Sequence, residues 1–267
     1  MRVRAPAVAG SFYPADPAEL RELVARCLAE AAAPPPGEPP AKALVVPHAG
    51  YVYSGEVAAA GYRRAARQAE RISRVVLLGP AHRAFLRGLA APRADAFATP
   101  LGVVQIDRAA LDGLIDLPQC ALSDAPHAGE HSLEVQLPFL QSVLPAFELV
   151  PLLVGDASDE EVQEVLERLW GGAETLLVVS SDLSHYHDTE TARRIDAESR
   201  RAVEALEPGG LGRESACGAV PLRGLLAAAR RRGLVARTLD LRNSGDTAGG
   251  RGRVVGYGAW VFHAAAA

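Results

Sequence analysis

Three of the seven histidines in this 267-residue chain stand shortly after apolar runs. Leu44–Val46 leads into Pro47-His48, Val75–Leu78 into Gly79-Pro80-Ala81-His82, and Leu176–Val179 into the stretch ending at His185. Neutral imidazole is the commonest metal-ligating side chain, so a mononuclear metal centre is the first chemistry these positions suggest. It needs a further ligand. Cys217 precedes an amphipathic stretch, and a helix N-terminus favours thiolate, although a small buried hydrophobe is the plainer reading. Asp182 and His185 share the spacing of one helical turn, so Asp182 could orient an imidazole or accept a proton. His131 and Glu134, three apart at the start of a helix, are expected to point back together toward the same pocket, against the alternative of a surface ion pair.

Other signals are weaker. His127–His131 formally matches the HxxEH pattern, but Pro126 and Gly129 indicate a loop rather than one continuous helical turn. No GxSxG elbow or Walker A loop occurs, Ser180 and Ser181 read as neighbours rather than nucleophiles, and Gly249–Gly252 precedes a strand instead of following one. Lys42 is the only lysine and an unpromising Schiff-base candidate. Arg242–Thr247 reads as a sharp turn after a strand that covers the pocket.

The elements that must position these residues alternate apolar runs with amphipathic stretches, the pattern of β-α units stacked on a mostly parallel sheet. Strands are expected at the three runs above and at Leu149–Val154 and Val254–Phe262, with Leu101–Ile106 and Ala236–Leu241 as additions. Helices are expected over Pro17–Ala31, Gly55–Arg67, His131–Leu144, Ser158–Leu169, Thr189–Leu206 and Ala219–Arg232. In such sheets the carboxyl ends of the strands share one edge, where ligands bind, so His48, His82 and His185 are expected to line one pocket. The fold class predicted is α/β, a single three-layer domain over residues 1–267 with a mostly parallel central sheet.

A formal charge of −4 and a pI near 6.0 argue against a nucleic-acid partner. No apolar stretch reaches the length of a membrane span. Three widely spaced cysteines argue against a disulfide framework, and together with the absence of a signal-like start they point to a cytoplasmic, reducing setting.

The segments Pro6–Pro14, Pro47–Tyr51, Gly79–His82, Glu130–Glu134, Ser181–His185, Cys217-Gly218 and Asn243–Asp246 cover nearly the whole chain in order. Together they resemble the Memo-like family, whose prokaryotic members are called AmmeMemoRadiSam system protein B. The resemblance implies a fold similar to class III extradiol dioxygenases, which hold non-haem Fe(II) through two His and a carboxylate. It implies His48 and His82 as metal ligands, Cys217 at the third position where the dioxygenases carry Glu, and Asp182 and His185 as further pocket residues. It also implies genomic company with AMMECR-type and radical SAM proteins.

Fe(II) is the first metal expected, with Cu or Zn as alternatives because a thiolate is softer than a carboxylate. The leading function is an O2-dependent oxidoreductase acting on an unidentified small molecule, with His48, His82 and Cys217 holding the metal and His185 or His131 moving protons. The alternatives are a non-catalytic protein that sequesters metal or binds a partner, and a zinc hydrolase.

Overall fold

The computed structural model describes residues 1–212 and 214–265. Its strands in chain order are β1 (Val3–Arg4), β2 (Ala43–Val46), β3 (Arg74–Pro80), β4 (Leu89–Ala91), β5 (Ala96–Thr99), β6 (Gly102–Gln105), β7 (Cys120–Leu122), β8 (Glu148–Val154), β9 (Thr175–Ser180), β10 (His185–His187), β11 (Leu234–Asn243) and β12 (Val254–Ala264). The helices are α1 (Pro17–Glu30), α2 (Tyr51–Ala66), α3 (Arg108–Asp112), α4 (Leu137–Val143), α5 (Asp159–Arg168), α6 (Thr189–Glu204) and α7 (Ala219–Arg231).

The centre of the main sheet is β2-β9-β3-β8, and these four strands run parallel. They are the Val- and Leu-rich runs of the sequence. β2 and β9 are buried along their whole length, which requires cover on both faces. Helices α1, α2 and α4 pack together as one group, and α5 packs against α7 in another. Parallel pairing does not extend across the whole sheet. β12 runs antiparallel to β2 and carries β10 and β11 antiparallel in turn, while on the far side β4 runs antiparallel to β8. The fold is therefore α/β with a parallel centre and antiparallel flanks. β6 pairs with β5 in a separate three-stranded sheet with β1, while Ile106 at the end of the Leu101–Ile106 run makes a parallel bridge to Leu149 of β8.

Local chemistry starts the helices where they are needed. Asp16 accepts from the amides of Ala18 and Glu19 ahead of α1, with Pro17 in its first turn. Ser158 and Glu161 form a reciprocal capping box on α5. α2 begins at Tyr51, earlier than the apolar periodicity indicates, because the Tyr51 amide donates to the Phe12 carbonyl of the N-terminal segment. Among the described residues, no helix is long and apolar enough to cross a membrane.

Candidate metal centre

Since β2, β9, β3 and β8 are parallel, their carboxyl ends meet at one edge, and the residues just beyond them converge there. A cleft of about 1120 Å³ opens at this edge, and His48, His82, His131, Asp182, His185 and Cys217 all line it. Among them His48, His82 and His131 form the closest group, each offering a ring nitrogen within 4.8 Å of the others. His82 stacks on His131 with ring centroids 4.8 Å apart, and His48 meets both edge-on.

The hydrogen-bond network fixes which nitrogen of His48 faces the cleft. Ser180 Oγ lies 2.6 Å from the Ser132 carbonyl, which can only accept, so the single hydroxyl proton goes there. Gln136 Nε2 sits 2.9 Å from the Pro47 carbonyl and is therefore the amide nitrogen, and it also donates to Ser180 Oγ at 2.7 Å. Tyr62 donates to the remaining Gln136 Oε1 at 2.8 Å. Ser180 thus has only an acceptor left for His48 Nδ1, 2.9 Å away. The His48 proton is on Nδ1, and Nε2 turns a lone pair toward Cys217 Sγ at 3.2 Å. Burial first, then the neighbouring His82 and His131, pushes the His48 pKa well below its ordinary value, so the ring is neutral.

Glu130 does the same for His82. His82 Nδ1 is 2.9 Å from Glu130 Oε1, which makes Nδ1 the donor and leaves Nε2 free. The same carboxylate accepts the backbone amides of His82, His131 and Ser132. Burial alone would raise Glu130, but contacts from His131, His82 and the Ser132 amide outweigh it and hold the carboxyl well below the usual range. His131 Nδ1 is buried 3.2 Å from the same Glu130 Oε1, an ion-pair contact without hydrogen-bond alignment.

Cys217 is carried in by the turn before α7. Its amide donates to the Asp182 carbonyl at 3.3 Å, and the Gly218 amide donates to Ser181 Oγ at 3.0 Å. Gly218 has to be glycine because the turn lies so close: a Cβ there would stand 2.6 Å from Ser181 Cβ and 2.9 Å from the Ser180 carbonyl oxygen. The expected activation by a helix N-terminus does not prevail. Burial, and next the charge of Asp182, push the Cys217 thiol well above its usual value.

A family model described as Memo-like protein matches residues 4–261. The chain belongs to the Memo-like family. It is 38% identical to a MEMO1 family protein of Aquifex aeolicus, over 98% of this chain and 100% of that one. A MEMO1 family protein of Methanopyrus kandleri is 36% identical over 97% of this chain and 98% of its own length. A solved structure of an uncharacterized protein from Escherichia coli K12 is similar in fold, with a TM-score of 0.50 at 14% identity, covering 83% of this chain and 98% of that one.

In this Memo-like chain the residues singled out from sequence are not all at the centre. Glu134 is the clear departure, because no helix begins at His131. A turn precedes a short 3-10 segment, Glu134–Gln136, and α4 starts at Leu137. Glu134 therefore points away from the cleft and is fully buried against the N-terminal segment. It pairs with Arg4 at 2.7 Å and accepts from the Ala7 and Val8 amides and the Tyr13 hydroxyl. Asp182 orients the backbone carrying His48 rather than an imidazole, accepting the His48 amide at 2.7 Å and that of Ala49 at 3.3 Å. His185 lines the cleft outside the close trio, as does His187. Between them Tyr186 takes φ 62°, and the β10 pairing slips there. That left-handed residue is costly for a side chain with a Cβ.

Glu130, Gln136 and Phe12 are not singled out by the sequence, and Ser180, which reads there as a neighbour rather than a nucleophile, proves to be the acceptor for His48 Nδ1. Phe12 packs on His131 at 4.6 Å between centroids, which the spacing of residues gives no sign of. Glu130 and Phe12 lie inside segments that carry the family resemblance.

Proposed function

We propose that this Memo-like chain is a mononuclear metalloprotein whose centre serves an O2-dependent oxidation of a small organic molecule. The observation that supports this is the convergence of His48, His82 and His131 with the proton of two rings anchored on the far nitrogen. His48 Nε2 and His82 Nε2 would hold the metal, with His131 and Cys217 as the flanking donors. Imidazole and thiol donors suit Fe(II), Cu or Zn and not Mg or Ca. Fe(II) is the first choice on the family resemblance. Bound there, it would supply an electron-exchanging Lewis acid beside the cleft.

The chain's own residues would do the rest. Ser180 and Glu130 hold the two imidazoles as neutral Nε2 ligands, and Phe12 covers one side of His131. His185 stands on the cleft wall, where it can pass a proton to or from a bound molecule.

The proposal is tested by anaerobic loading with Fe(II), Cu(I) or Zn, metal analysis, and O2 uptake with catechols. One metal per chain is expected, lost in His48→Ala and in His82→Ala, while His131→Ala and Cys217→Ser show which flanking donor is engaged. Full metal retention in both His48→Ala and His82→Ala would overturn the ligand assignment. Cys217 within 3.2 Å of His48 Nε2 favours a second reading, in which all four donors close the centre and the protein sequesters metal without turnover. Stoichiometric metal with no O2 uptake would favour it.

A further inference from the structure

The charged side chains on the wall of the histidine cleft do not balance. Apart from histidines they are Arg83, Arg253, Asp182 and Glu214. Asp182 is buried, and its carboxyl group is turned to the His48 and Ala49 amides. Glu214 and both arginines are exposed, and among the described residues none of these three makes an ion pair. Arg83 and Arg253 therefore face the single exposed carboxylate of Glu214, and a cleft concentrates the field of such a surplus. One unmatched positive charge suits a monoanion.

Arg253 is the better placed of the two arginines. It immediately precedes β12, whose Val254 and Val255 pair with His187 and His185 of β10. Its guanidinium lies over the ring of Tyr186, 5.2 Å from the centroid. A guanidinium stacked in this way keeps its N–H donors at its edge, where a planar carboxylate can meet them. Tyr186 is the residue held at φ 62°, and it is 65% exposed, so its conformation serves neither the core nor the β10 pairing that slips there. Strained backbone of this kind gathers at ligand clamps. The segment around Arg253 is tied down as well: the Thr189 hydroxyl donates to the Arg251 carbonyl at 2.9 Å, and the Val255 amide to Ser244 Oγ at 3.1 Å.

We propose that Arg253, stacked on Tyr186, holds a carboxylate of the substrate, so that the molecule reaching the three histidines is an organic monoacid anion. The reacting end rests on the metal reading above; the carboxylate end rests on Arg253. His185, in the same short strand as Tyr186, then stands beside the bound molecule. Arg83, next in sequence to His82, adds positive field at the reacting end. A neutral amide forgoes the charge-assisted hydrogen bonds, and a dianionic phosphate brings a second charge that Glu214 opposes.

The test begins without metal, with 2-naphthoate as a fluorescent carboxylate, 2-naphthamide as its neutral counterpart and 2-naphthyl phosphate as the dianion. Naphthoate is expected to bind about tenfold more tightly than the amide at low salt, the ratio shrinking as salt rises. Arg253→Gln should remove this preference, Tyr186→Gly should weaken it without loss of thermal stability, and Arg83→Gln should leave most of it. Equal binding of naphthoate and naphthamide, or a preference that survives Arg253→Gln, would overturn the anchor. Tighter binding of the phosphate than of naphthoate would overturn the monoanion assignment. With metal loaded, hydroxamates bearing a terminal carboxylate on chains of increasing length are compared with their terminal carboxamides. At least one length is expected to favour the carboxylate about tenfold, and to lose that advantage in Arg253→Gln. Naphthoate discrimination with hydroxamates that bind but show no such length would overturn the link between anchor and centre. Naphthoate discrimination with no hydroxamate binding at all would sink the metal reading and leave the anchor standing.

Discussion

Replacing Ser180 with alanine removes one hydroxyl and disturbs three partners. The Ser132 carbonyl loses its donor at 2.6 Å, Gln136 Nε2 one of two acceptors, and His48 Nδ1 its acceptor at 2.9 Å. All are buried. A buried polar group left unpaired costs about 1–3 kcal/mol, and Gln136 keeps the Pro47 carbonyl, so a stability loss of about 3 kcal/mol is expected. The effect on the metal has a separate cause. Without the Ser180 acceptor the His48 proton is no longer confined to Nδ1, and a ring protonated on Nε2 cannot ligate. One hydrogen bond of about 1–1.5 kcal/mol biases that choice roughly tenfold, and lost orientation adds to it, so affinity is expected to fall about 10–100-fold. Urea unfolding of the metal-free protein and competitive chelator titration read the two effects independently. Tyr62→Phe, which removes the donor to Gln136 Oε1 one step further out, should cost about 1 kcal/mol and less than threefold in affinity. Wild-type metal affinity in a destabilised Ser180→Ala protein would refute the proton-placement argument and make Ser180 a packing residue. An equal affinity loss in Tyr62→Phe would refute it too.

Glu134→Gln should destabilise the chain by about 3–5 kcal/mol in thermal or urea unfolding, because it leaves the buried Arg4 guanidinium without its carboxylate; a loss of metal in the cold, with the fold intact, would return Glu134 to the centre. Gly218→Ala should cost about 1–3 kcal/mol and speed the reaction of Cys217 with a thiol reagent as the turn is forced off Ser181, so an unchanged labelling rate counts against the close approach. Burial raises Asp196 to about 6 from 3.8, so the folded chain holds that proton more tightly than the unfolded one. Stability contributed by this group should therefore fall as the pH rises from about 4 to about 6, by at most about 3 kcal/mol, and Asp196→Asn should flatten that slope in unfolding measured across the range.

The parallel centre of the sheet was legible because Leu44–Val46, Val75–Leu78, Leu149–Val154 and Leu176–Val179 are short apolar runs that alternate with amphipathic stretches, the pattern of β-α units. His48 and His82 followed from that edge. His131 reaches the pocket by another route than the helical turn its spacing with Glu134 suggests. Pro138 in fact lies in the first turn of α4, and the preceding residues form a turn and a 3-10 segment that send the two side chains in opposite directions. The antiparallel flanks were not legible, since strand direction depends on where a connection crosses and β10 is only a few residues long. The roles of Glu130 and of Ser180, which reads from sequence only as a neighbour, were not legible because they lie in which hydrogen bonds these residues accept across 48 and 132 residues of chain, and no local spacing records that.

The Glu134 clamp has a bearing on the order in which the protein is made. Arg4, the Ala7 and Val8 amides and Tyr13 all wait for a carboxylate encoded 121 to 130 positions later. At ribosomal rates of about 5–20 residues per second the N-terminal segment spends about 6 to 26 seconds without its anchor. Phe12, which packs on His131, belongs to that same segment. The side of the centre that Phe12 covers thus cannot close until half the chain has been made, and a nascent chain released before residue 134 could not seat this segment at all.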